Sequence, residues 1–162
     1  MYYYVDGYNF IFSLYEEVDP LREKRDEVID YLQSTLEDLK FSVSIVFDSH
    51  HRDDAFFPKR YRRSSLEIIY TTSGQSADNY ILESLSFLKT RSNITVVTSD
   101  KFLAKQVKLL GANVLTISAF VKLVVKKHDK IQQTEIKEDS LSDNDFQRLL
   151  EAFEKSFNEL DK

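Results

Sequence analysis

Four aspartates recur along this chain, and three of them end a hydrophobic run. Asp6 closes Tyr4-Val5 and precedes Gly7-Tyr8-Asn9, Asp48 closes Ile45-Val46-Phe47, and Asp100 follows Val96-Val97-Thr98-Ser99. The fourth, Asp78, follows Gln75-Ser76-Ala77, where a helix should begin. Acids at the carboxyl ends of parallel strands converge on one sheet edge, where open α/β folds build their sites. Carboxylates gathered there repel one another unless they are protonated or share a cation. The implied chemistry is phosphodiester hydrolysis assisted by Mg²⁺ or Mn²⁺ held by Asp6, Asp48, Asp78 and Asp100. Each acid also has a plainer reading. Asp-Gly marks turns, and an acid in the first turn of a helix is favoured by the dipole alone. Asn9 can donate to a phosphate or an acid, or simply cap a loop.

The elements that must position these acids alternate. Residues 2–6, 42–47, 66–70, 94–98 and 113–116 read as short strands rich in β-branched and aromatic residues. A helix is expected from Leu21 to about Leu39, its apolar stripe of Leu21, Val28, Leu32, Leu36 and Leu39 interrupted only by Arg25. Further helices are expected from Ser76 or Ala77 to about Lys89, from Asp100 to Leu110 with Gly111 as the stop, and from Ala119 to about Lys127. Gly7 reads as a break after the first strand, and residues 50–64 as a polar, basic surface loop. Alternating strands and helices predict a three-layer α/β/α fold with a central, mostly parallel sheet. Right-handed crossovers then bring successive strand ends to one side.

Residues 1–127 are expected to form the nuclease domain, and 128–162 a polar linker and an amphipathic helix. That helix carries Phe146, Leu149, Leu150, Phe153, Phe157 and Leu160 on one stripe, to pack on the same domain or to pair with a second copy.

The chain has no cysteine, and its only histidines are His50, His51 and His128. Thiolate and zinc sites are thereby disfavoured, while a hard cation bound by oxygen remains open. A net charge of −5 argues against a bulk basic nucleic-acid binder. Local charge differs. Arg52, Lys59, Arg60, Arg62 and Arg63 crowd one segment, with Phe56, Phe57 and Tyr61 between them. Arg60, Arg62 and Arg63 are candidates for phosphate contacts, Tyr8 for stacking on a base, and Ser99 and Lys101 for contacts beside Asp100. No membrane span or leader is visible, so a cytoplasmic protein is the expectation.

Val5-Asp6-Gly7-Tyr8-Asn9, Val46-Phe47-Asp48, Leu66-Glu67-Ile68-Ile69-Tyr70-Thr71, Ser76-Ala77-Asp78 and Thr98-Ser99-Asp100 together resemble the NYN domain. This is a PIN-like nuclease fold, and the YacP-like branch is the nearest likeness, over roughly residues 2–127. The resemblance implies an Mg²⁺- or Mn²⁺-dependent ribonuclease with Asp6, Asp48, Asp78 and Asp100 as the site and Asn9 beside Asp6. The branch includes an endoribonuclease that cleaves messenger RNA on the translating ribosome, which makes RNA and the ribosome the implied partners. One departure stands out: Gln75 and Asn79 are amides where relatives usually carry glutamates. A non-catalytic RNA- or ribosome-binding module is therefore one alternative. A small-molecule phosphatase is another, disfavoured because no Asp-x-Asp pair follows the first strand.

Overall fold

The computed structural model describes residues 1–16, 21–37, 39, 41–49 and 57–135, with the side chains of 132–135 excepted. In chain order the elements are β1 (Tyr2–Asp6), α1 (Gly7–Leu14), α2 (Leu21–Glu37), β2 (Ser42–Phe47), β3 (Lys59–Arg63), β4 (Leu66–Tyr70), α3 (Ala77–Ser86), β5 (Ile94–Val97), α4 (Lys101–Leu109), β6 (Asn113–Leu115) and α5 (Ile117–Glu135). The strands form one sheet in the order β3-β4-β2-β1-β5-β6. Every pairing is parallel except β3 with β4.

The inner parallel strands β1, β2, β4 and β5 are largely buried on both faces, which explains their nearly continuous apolar runs. Side chains alternate between two cores. Val5, Val43, Ile45, Phe47, Leu66 and Ile68 pack beneath α1, α2 and α5. On the other face Val46, Ile69, Ile94 and Val96 meet Tyr80, Ile81 and Leu85 of α3 and Leu103 and Val107 of α4. The chain winds from β1 through β2 to β4 in one direction, then crosses back to β5 and β6 on the other side of β1. The reversal lies between β1 and β5, where open α/β sheets leave a crevice at their carboxyl edge.

Three expectations are corrected. Gly7 ends β1 as expected, but the turn expected there is the start of α1, because the Asp6 carboxylate caps the helix by accepting the Asn9 amide. A side chain at Gly7 would overlap the buried ring of Phe47, so the glycine permits the close approach of α1 to β2. Part of the expected 50–64 loop is an antiparallel edge strand. β3 is Lys-Arg-Tyr-Arg-Arg, exposed throughout, and joins β4 through Ser64-Ser65, with Ser64 at a φ of 49°. Charged edges suit an unpaired rim, but they carry no alternating apolar signal, and the turn lacks the usual Asn-Gly. Finally, α5 runs on to Glu135, so the start of the expected linker at 128 is helical. Residues 50–56 and the expected tail helix over 142–160 lie outside the described residues. Among the described residues no helix is long and apolar enough to cross a membrane.

Replacing Gly7 with alanine should cost about 1–3 kcal/mol by overpacking against Phe47. Urea denaturation checks this, and an unchanged midpoint would refute the close contact.

Candidate active site

The carboxyl edge of the sheet is built from strand ends and helix starts. Asp6 ends β1, Asp48 follows β2, Asp100 follows β5, and Asp78 lies in the first turn of α3. Three of these acids also serve as helix caps. Asp6 accepts from the Asn9 amide at 3.4 Å. Asp48 accepts from the amide of Ala77, the first residue of α3. One Asp100 oxygen accepts from Phe102 at 2.7 Å and Leu103 at 3.0 Å, opening α4. The positive end of each helix thus offsets part of the cost of crowding anions there.

Asp6 is only 8% exposed. Its burial, helped by the neighbouring charges of Asp78 and Asp48, pushes its pKa up to about 7. Asp78 is also raised, first by burial and then by the charges of Asp100 and Asp48, while its hydrogen bond with Asp6 pulls the other way. Both shifts favour the protonated form, and the larger push falls on the buried Asp6.

Asn9 works as a clamp. Its Oδ1 accepts from the Ser99 amide at 2.8 Å and from the Thr98 hydroxyl at 3.5 Å, closing the crevice between α1 and the β5–α4 turn. The Asp100 amide donates to Thr98 Oγ1 at 3.0 Å, which orients the turn further. A second set of ties went unread in the sequence. Ser49 donates its amide to Thr71 Oγ1 and its hydroxyl to the Thr72 carbonyl, while Thr71 Oγ1 donates to the Gln75 carbonyl. These bonds fix the β4–α3 turn against the end of β2. The only available sign was a run of hydroxyl residues after two strands, which also reads as ordinary turn chemistry. Gln75 donates to Glu83 at 2.8 Å, and Asn79 is exposed, its amide held by the capping Ser76 at 3.1 Å.

The basic and aromatic candidates are dispersed. Arg60 donates to the Tyr80 hydroxyl at 2.5 Å and lies 3.8 Å from Glu67 on the α3 face of the sheet. Arg63 bonds Gln33 at 3.0 Å and lies 3.6 Å from Asp30 on the α2 face. Arg62 is exposed and stands opposite Glu67 in register. The Lys59 end of β3 pairs with Tyr70 at the carboxyl edge, so Arg62 and Arg63 lie progressively farther away. Tyr8 is half-buried, its ring edge-on to Phe47 at 5.1 Å. Ser99 and Lys101 are exposed at the edge, beside Asp100.

The chemistry of the four carboxylates suits a hard divalent cation. Among the described residues, however, no group of three or more acids and histidines stands ready as a cation cage.

A three-layer α/β/α sandwich with acids at the carboxyl edge of a mostly parallel sheet is the PIN-like nuclease architecture. The chain belongs to the YacP-like NYN domain family, whose model matches residues 3–162. Two crystal structures share the fold. One is Rae1 (YacP) from Bacillus subtilis as a W164L mutant, with a TM-score of 0.64, 21% identity, and coverage of 94% of this chain and 92% of that one. The other is Rae1 (YacP) from the same organism, with a TM-score of 0.60, 24% identity, and coverage of 85% and 80%. No curated protein matches the chain.

The pKa shift has a thermodynamic sign. Asp6 binds its proton more tightly folded than unfolded, so its contribution to stability is complete below about pH 4 and is lost as pH rises through about 7. Asp6→Asn should therefore raise Tm at pH 8 in EDTA by about 5 °C, with the gain vanishing near pH 4. Mn²⁺ should stabilise the wild type more than this variant. Thermal unfolding with and without the ion checks both, and parallel pH profiles would refute the buried pair.

Proposed function

We propose that this chain is an endoribonuclease that hydrolyses RNA phosphodiesters with Mg²⁺ or Mn²⁺. The observation that carries the reading is the placement of Asp6, Asp48, Asp78 and Asp100 at the carboxyl edge of a YacP-like NYN domain, with Asp6 buried there. A cation bound among them would keep the buried acid ionised. Asp6 and Asp100 would be the first ligands, with Asp48 and Asp78 binding directly or through water. A bound divalent cation supplies an activated water and polarises a phosphoryl oxygen. The chain's own residues hold the geometry. Asn9 keeps the Thr98–Ser99 turn, and with it Asp100, against the end of β1. Gly7 lets α1 sit close enough for Asp6 to lie at its amino end. Ser99 and Lys101, exposed beside Asp100, would meet the RNA backbone there.

The finer reading is cleavage of messenger RNA on the translating ribosome, in the cytoplasm, and it rests on the family resemblance. A binding-only role draws on one observation, the engagement of the Gln75 amide with Glu83 where relatives carry acids.

The deciding experiment is a metal-titrated cleavage assay on purified single-stranded and structured RNA, with and without ribosomes. Asp6→Asn and Asp100→Asn should each lose more than about 100-fold in rate, because even the outer partners of metal ligands are worth 10–100-fold. Full activity in either variant, or none in the wild type under every condition, refutes the nuclease. Asn9→Ala should lose about 10–100-fold in kcat with little change in KM, as expected of a positioning residue.

A further inference from the structure

We infer that the groove between α2 and β3 binds a nucleotide segment of single-stranded RNA, its phosphates held by Arg22, Arg25 and Arg63 and a base resting on Tyr61. This inference rests on the nuclease reading for the identity of its ligand.

The groove has a volume of about 480 Å³ and includes those four residues together with Tyr70 in its lining. That volume suits a small ligand or a nucleotide. Arg25 is the anomaly. It interrupts the apolar stripe of α2, yet it is only 7% exposed. A buried guanidinium needs compensation. Its contacts are the ring of Tyr70 at 5.5 Å and Asp26 at 3.4 Å, whose side chain is 57% exposed. A planar cation with such a solvated carboxylate partner can be shared with an anion in the groove.

Arg22 lies one turn before Arg25 on the same helix, is exposed, and has no carboxylate partner among the described residues. Arg63 enters from β3, held at 3.6 Å by Asp30, which is 75% exposed. Asp26 and Asp30 also line the groove and oppose an anion, but three arginines against two aspartates leave it positive in a chain of net charge −5. Tyr61 is 47% exposed and lies edge-on to Tyr70 at 6.1 Å, which leaves ring surface open for stacking.

The groove also connects to the proposed site. Tyr70 ends β4 and stacks on Phe47 at 5.7 Å, and Phe47 immediately precedes Asp48. Tyr8, whose ring meets Phe47 edge-on at 5.1 Å, lies two residues beyond Asp6. A strand lying along β3 from Arg63 toward Lys59 is therefore delivered to the carboxylates.

The test measures binding of a fluorescein-labelled single-stranded RNA 12-mer to the full chain in EDTA, by anisotropy across a salt series. Tyr61→Ala should weaken binding about tenfold. Arg22→Gln and Arg63→Gln should each flatten the log–log salt slope by about 0.7, a change that a structural role would not produce. Arg25→Lys keeps the charge but loses the planar fork, and should weaken binding while leaving the salt slope near the wild-type value. Circular dichroism and Tm confirm that each variant is folded. Wild-type affinity and slope in folded Tyr61, Arg22 and Arg63 variants would overturn the groove, as would no RNA binding by the wild type at low salt. If those variants bind normally while the wild type still cuts RNA, the groove fails and the nuclease stands. If they lose binding while the wild type cuts nothing, the groove stands and the nuclease fails.

Discussion

The constraint on which the structure depends is the burial of a carboxylate beside other carboxylates at the end of β1. Asp6 is buried, and both that burial and the charges of Asp78 and Asp48 disfavour its ionised form unless a cation intervenes. The rest of the edge is arranged around that cost. α1, α3 and α4 begin there, and Asp6, Asp48 and Asp100 each take an amide from a helix start. The same side chains are helix caps and members of the cluster. The two apolar cores on either face of the sheet hold the arrangement rigid, and repulsion alone does not spread it.

Much of the fold was legible because its signals are short and strong. Five of the six strands are compact apolar runs, and α2, α3 and α4 carry clear apolar stripes. What escaped had a physical reason. α1 starts at an Asp-Gly pair that elsewhere marks a turn, and only the packing of Gly7 on Phe47 reveals why a glycine is needed. β3 is held by backbone bonds to β4 and by charge rather than by burial, so periodicity could not detect it. The end of α5 was set early because polar residues after Lys127 gave no pattern, yet the helix continues.

The four aspartates were legible from position alone, since each closes an apolar strand or opens a helix. Their supports were not. Asn9 reaches Ser99 across 90 residues of sequence, and Ser49 reaches Thr71 across 22. Such bonds exist only once β1, β2, β4 and β5 are side by side, and nothing local in the chain announces them. The arginines illustrate the reverse error. Arg60 and Arg63 are close in sequence and look like one patch. A strand sends alternate side chains to opposite faces, so they serve different surroundings.

That alternation bears on how an acidic chain can accept a polyanion. Net charge describes the whole surface, whereas a backbone phosphate meets only the few groups along its path. β3 divides its cations between faces, with Arg60 committed to Glu67 and Tyr80 and Arg63 left at the rim of the α2 groove. Arg25 adds a buried cation in the lining of that groove, its guanidinium over the ring of Tyr70. Tyr70 stacks on Phe47, Phe47 meets Tyr8 of α1 edge-on, and Asp6 caps that same helix. The wall of the groove and the buried acid therefore meet through one element, α1, and the tight seat of Gly7 on Phe47 fixes where that element lies.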